Sequence, residues 1–154
     1  MSANQVNKLL ELSQIGLGLR KVSQRVKIGD FTDGGSTSGY VDLEKQLPAG
    51  AFVIGTKVTV EEGFSGDTTA TMAVGHSSDT NRYTNNSTVN VLSAGKVGAE
   101  AEEPMEYISS AVTVRVTVTG ASDFGNISAG QALVEVFYLS TEPELTDGHP
   151  GRNA

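Results

Sequence analysis

The chain is expected to fold as a single all-β domain, a β-sandwich, jelly roll or small β-barrel of about eight short strands preceded by a short N-terminal helix or arm. Three observations predict this. Val112, Val114, Val116 and Val118 alternate with Thr113, Arg115, Thr117 and Thr119, an unbroken period of two in mostly β-branched residues. Turn-forming clusters such as Asp33-Gly34-Gly35 and Ser65-Gly66-Asp67 recur between apolar runs. The length of 154 residues suits one core of ordinary size.

Taken in order, Val6, Leu9 and Leu10 have helical spacing, with Ser2 or Asn4 as a cap, and predict a short N-terminal helix. Ile15, Leu17 and Leu19 then alternate with Gly16 and Gly18, and Val26 and Ile28 continue a period of two, so a first strand is expected here. Tyr40 to Leu43 makes a short strand. Leu47-Pro48-Ala49-Gly50 turns into a stronger one, with Phe52, Ile54, Val58 and Val60 expected on one face and Lys57, Thr59 and Glu61 on the other. Ala70, Met72 and Val74 mark the next strand, and the polar stretch from His76 to Thr88 reads as an exposed loop. Val89 and Val91 form a short strand, and Ala99 to Pro104 an acidic connection. Gln131 to Leu139 is apolar on both faces apart from Glu135, the pattern of a central strand. The organisation that follows is a basic arm or helix plus first strand over residues 1–28, a β domain over 29–141, and a flexible C-terminal tail over 142–154.

Composition removes several function classes. The chain has no Cys, which excludes disulfide scaffolds, Cys-ligated zinc, iron–sulfur clusters and thiol catalysis. The two histidines, His76 and His149, leave little material for a poly-His metal site or a Ser-His-Asp triad. Net charge is −7, unevenly spread: Lys8, Arg20, Lys21, Arg25 and Lys27 face only Glu11 in the first 27 residues, whereas the remainder is strongly acidic. An acidic body argues against nucleic acid as a partner, since phosphate neutralisation needs a basic face. No run approaches the roughly 18 apolar residues of a membrane span, so no membrane partner is expected. Asn4, Gln5, Asn7, Lys8 and Glu11 interrupt any apolar signal region, and export through the general secretory route is not expected.

The candidate chemical sites each have a plainer explanation. Gly16-Leu17-Gly18 lacks the third glycine and following helix of a dinucleotide turn, and backbone crowding explains the glycines better. Asp30, Asp33, Asp67 and Asp79 are loop acids without the spacing of a calcium loop, and Asx-turns account for them. His76 beside Ser77, Ser78 and Asp79 is a surface histidine rather than a triad member. Glu61-Glu62 and Glu102-Glu103 read as solvated acidic edges rather than glycosidase carboxylates, because no Trp is present to stack a sugar. Asn85-Asn86-Ser87-Thr88 and Asn126-Ile127-Ser128 contain glycosylation sequons that matter only in a eukaryotic secretory pathway. No catalytic, cofactor-binding or metal site is expected, and the chain reads as a structural or binding module.

The runs Phe31-Thr32-Asp33-Gly34-Gly35-Ser36-Thr37-Ser38-Gly39-Tyr40, Phe64-Ser65-Gly66-Asp67-Thr68-Thr69-Ala70 and Val112 to Gly120, with the segment Ile127 to Tyr138, resemble small virion structural proteins of tailed bacteriophages. The likeness is above all to capsid decoration (cement) proteins and other head-associated β proteins. It implies a non-enzymatic protein on the outside of a phage head, made in the host cytoplasm, with the major capsid protein as partner and a homotrimer as assembly. Arg20, Lys21, Arg25 and Lys27 are the expected capsid contacts, from the charge split. The alternative is a head- or tail-fibre module binding host glycan through the His76–Thr88 loop.

Overall fold

The computed structural model describes residues 18–140. The expected N-terminal helix, Ile15, Leu17 and the C-terminal tail lie outside the described residues. Ten strands follow in chain order: β1 (Gly18–Lys27), β2 (Thr32–Asp33), β3 (Ser38–Asp42), β4 (Ala51–Ser65), β5 (Ala70–Gly75), β6 (Val89–Asn90), β7 (Gly95–Glu100), β8 (Glu106–Tyr107), β9 (Arg115–Gly120) and β10 (Ala129–Ser140). They form two antiparallel sheets. The first runs β1-β10-β4-β7, with β8 also paired to β4, and the second runs β2-β3-β9-β5-β6.

One apolar cluster lies between the sheets. Val22 and Val26 from β1, Val58 and Val60 from β4, and Ala132, Val134 and Val136 from β10 meet Met72 and Val74 from β5 and Val116 and Val118 from β9. Each buried valine contributes about 1.5–3 kcal/mol relative to exposure. The valine ladder of β9 behaves as its alternation requires: Val114, Val116 and Val118 are fully buried, while Thr117 and Thr119 face away. Strand β10 is central in the first sheet, as its two apolar faces predict. Gly130 lies at φ 145, beneath the Phe64 ring where any Cβ would collide. Phe64 in turn meets Phe31 edge-on at 6.2 Å, closing one end of the core.

Four local readings are corrected. Val53 pairs with Tyr138 and Gly55 with Phe137, so Ile54 is an extra residue on β4. This bulge reverses the inward parity: Val58 and Val60 point in, but before the bulge Val53 points in and Phe52 and Ile54 turn outward. On β1, Leu19 and Val26 differ by an odd number of residues and therefore face opposite ways, leaving Leu19 exposed. The acidic connection at Ala99 begins inside a strand, because β7 pairs with β4 from Gly95 to Glu100. Within the polar loop, Tyr83 and Thr84 are buried, on a 3₁₀ turn at Arg82–Thr84.

A candidate interaction surface on the first sheet

Strand β1 is an edge strand, paired along its length with β10 from Gly18↔Ser140 to Lys27↔Gln131. Alternation puts Leu19, Lys21, Ser23, Arg25 and Lys27 on the outer face of the sheet and Arg20 on the opposite side. Three of the four expected contact residues therefore share one surface and the fourth does not.

Lys21 and Arg25 are engaged by carboxylates of neighbouring strands. Lys21 Nζ lies 2.6 Å from Glu135 Oε2, a carboxylate whose side chain is only 8% exposed. A carboxylate that covered needs its cation, since an unpaired charge out of water is costly. Arg25 Nε donates to Glu61 Oε1 at 2.8 Å, and Gln131 Nε2 donates to the other oxygen of the same carboxylate at 3.0 Å. The Arg25 hydrogen bond holds the Glu61 carboxyl below the usual carboxylate range. The Lys27 backbone N–H donates to Asp30 while its side chain reaches solvent.

The end of this face nearest Gly18 is apolar. Cross-strand pairing links Leu19 to Leu139, Leu139 to Phe52 and Phe52 to Tyr107, one row across four strands. The Phe52 and Tyr107 rings lie 5.3 Å apart. Beside this row is a concavity of about 520 Å³ whose lining includes Leu19, Ile54, Val97 and Phe137, with Lys57, Lys96 and Glu100 also on it. Among the described residues, the exposed large apolar side chains are Leu19, Val97, Met105 and Tyr107. Leu19 and Tyr107 belong to the row, Val97 lines the concavity, and Met105 stands beside them, its N–H donated to Val53. Met105 sits at φ 65, a left-handed conformation that costs a non-glycine residue about 1–2 kcal/mol.

The other sequence candidates take structural roles. Asp33 accepts the Gly35 N–H at 2.7 Å, an Asx-turn. Asp67 accepts the N–H of Ser122 at 2.9 Å and of Thr68 at 2.6 Å, bonds that lower its pKa. His76 and Asp79 exchange backbone hydrogen bonds, and the imidazole stands edge-on to the Tyr83 ring at 6.1 Å. Asn126 donates its amide to Ser122 Oγ. Among the described residues no group of three or more His, Cys, Asp or Glu is placed to hold a metal ion.

Sequence reasoning missed Arg82, which organises the polar loop. Its guanidinium donates to both oxygens of Glu106 at 3.1 Å and to Glu102 at 2.7 Å, and lies 3.2 Å from Glu103. Glu102 is thus a partly covered partner of a cation, while Glu103 also lies beside Arg82 but keeps a solvated side chain. Hydrogen bonds from Asn86 and Arg82 lower the Glu102 pKa, and burial pushes the Tyr83 hydroxyl up to about 12. The available signal was one arginine in a loop, about one loop length before four glutamates.

No protein-family model matches the sequence, and no curated protein matches it. Solved structures do share its fold. A chain of the cyanophage Pam1 capsid asymmetric unit superposes with a TM-score of 0.61 at 20% identity, over 81% of this chain and 86% of that one. A chain of the capsid of Ralstonia phage GP4 gives 0.55 at 17% identity, over 79% and 84%. One from the capsid of Helicobacter pylori bacteriophage KHP30 fits less well, at 0.48 and 20% identity over 81% and 95%.

Proposed function

We propose that this chain is a non-enzymatic structural protein of a phage virion, and specifically a decoration (cement) protein on the outer surface of the head. The observation that carries the reading is the shared sandwich fold: about four-fifths of this chain superposes on a chain of the Pam1 capsid. Its partner is the major capsid protein and its assembly a homotrimer. Repetition over a lattice multiplies modest contacts, so each copy needs only a small interface. The basic strand β1 supplies that contact through Arg20, Lys21, Arg25 and Lys27, with Lys27 and the outer face leading, since Lys21 and Arg25 are already paired.

The test is to strip this chain from particles that carry it, restore the recombinant protein, and image the heads by cryo-electron microscopy. Density at repeated positions over the outer shell, together with a raised shell melting temperature, is expected. Density confined to a tail or one vertex, or none, overturns the reading. Deleting everything before Gly29 is no test of the contact, because it removes β1 and with it the buried Val22 and Val26. Arg25→Glu with Lys27→Glu keeps the strand and is expected to weaken shell binding at least tenfold.

A further inference from the structure

The edges of the two sheets are not equally guarded. Strands β2 and β6 are only two residues long. Strand β1 turns Lys21, Arg25 and Lys27 to one face, so a second β1 laid beside it would crowd cations together. Short and like-charged edges are the usual guards against pairing between chains. Strand β7 has neither guard. It pairs with β4 in unbroken register from Gly55↔Glu100 to Val60↔Gly95, and among the described residues its other side meets no strand. The Ala101 N–H donates to the Ile54 carbonyl in that same register. By alternation the backbone groups of Val97 and Ala99 turn to β4, and those of Lys96, Gly98 and Glu100 turn outward. We infer that β7 pairs antiparallel with β7 of a second copy of this chain, across a two-fold axis at Gly98.

The charges favour that occupant. About an axis at Gly98, Lys96 of each copy stands opposite Glu100 of the other, and Val97 stands opposite Ala99. Opposite charges facing across antiparallel strands stabilise the pair, whereas like charges oppose it. Among the described residues neither Lys96 nor Glu100 has an ion-pair partner in its own chain. Gly98 points the same way. A glycine inside a strand weakens it and often marks the close approach of another backbone. Gly98 has no positive φ, and a Cβ built on it meets nothing within 4 Å, so nothing among the described residues calls for glycine there. Six residues a side bury less than the roughly 1,000 Å² of a stable interface, so the contact is weak for one pair and gains by repetition. A two-fold contact cannot close a three-fold ring; beside the homotrimer proposed above it links one trimer to the next.

The experiment mixes full-length chains labelled at the Val methyls with others labelled at the Ala methyls, and reads contacts between copies by NMR. A Val97–Ala99 contact between copies is expected, lost on dilution. Lys96→Glu and Glu100→Lys, each alone, set like charges opposite and are expected to weaken the pairing about tenfold. An equal mixture of the two variants is expected to restore it, because every facing pair is then opposite in charge. Both side chains are exposed at a sheet edge, and unchanged backbone spectra check that the fold is kept. Absence of the contact at the highest soluble concentration overturns the inference. So does a contact that keeps full strength in either single variant, or one that the mixture fails to restore. No capsid enters these measurements, so they succeed or fail separately from the decoration role.

Discussion

The outer faces of the two sheets differ in kind. On the second sheet Thr119 stands between Ser38 and Thr71, and Thr117 between Tyr40 and Ala73. Arg115 clasps Asp42 through Nε at 2.7 Å and Nη2 at 2.9 Å and lies 4.0 Å above the Tyr40 ring. That surface is polar and satisfies its own charges, the usual state of a sheet with one face in water. On the first sheet the outer face holds Leu19, Leu133, Phe137, Leu139 and Phe52 at one end, beside the paired Lys21, Glu135 and Arg25. An outward apolar row costs solubility unless something covers it. The second sheet therefore reads as finished surface, and the first as the one that meets another element.

Both faces rest on one interior, and the largest effect is expected where that interior fails. Phe64→Ala removes the ring that packs over Gly130 and against Phe31, and should lower stability by about 3–5 kcal/mol. Urea unfolding would read this as an earlier midpoint at unchanged slope. A loss below about 1 kcal/mol would mean that the aromatic end of the core is loosely packed.

Next in size is a contrast between the ion pairs of the two faces. Lys21→Ala leaves Glu135 covered and unpaired, and an expected cost of about 1–3 kcal/mol allows for the half-exposed lysine. Arg115→Ala releases Asp42, which is 43% exposed and can turn to water, so less than about 1 kcal/mol is expected. Adding Glu135→Gln to Lys21→Ala should recover part of the loss. Equal costs for the two single variants would erase the distinction between the faces.

Much of this architecture was legible because alternation is local. The valines of β9 and the two-sided β10 declare themselves within ten residues of sequence. What was not legible depends on residues far apart in the chain. The bulge at Ile54 is set by pairing with Phe137 and Tyr138, more than 80 residues on, and nothing local to Phe52-Val53-Ile54 announces that parity reverses there. Arg82 needed the fold to bring Glu102, Glu103 and Glu106 around it. The basic character of β1 was visible, but its partial neutralisation by Glu135 and Glu61 was not, since both partners come from other strands. A run of like charge in sequence thus overstated the free charge on the surface.

The smallest expected effect concerns acid. The carboxyls of Asp42 on the second sheet and Glu61 on the first are both held below their ordinary values of 3.8 and 4.5, chiefly by hydrogen bonds from Arg115 and Arg25. A depressed folded pKa means the unfolded chain binds the proton more readily. The contribution is therefore complete above the ordinary value and is lost as pH falls through the lower folded value, here from about pH 5 downward. Melting temperature measured from pH 6 to pH 2 should fall on that limb, and Asp42→Asn should flatten it more than Glu61→Gln. Asp42 is held by a two-point contact from a guanidinium that is mostly covered and lies over the Tyr40 ring, whereas Glu61 takes a single bond from Arg25, whose side chain is half in water, and its other bond from the neutral Gln131. If Glu61→Gln flattened the limb more, the Arg25 pair would be the stronger one, and β1 would have less free charge for a partner than the second sheet has.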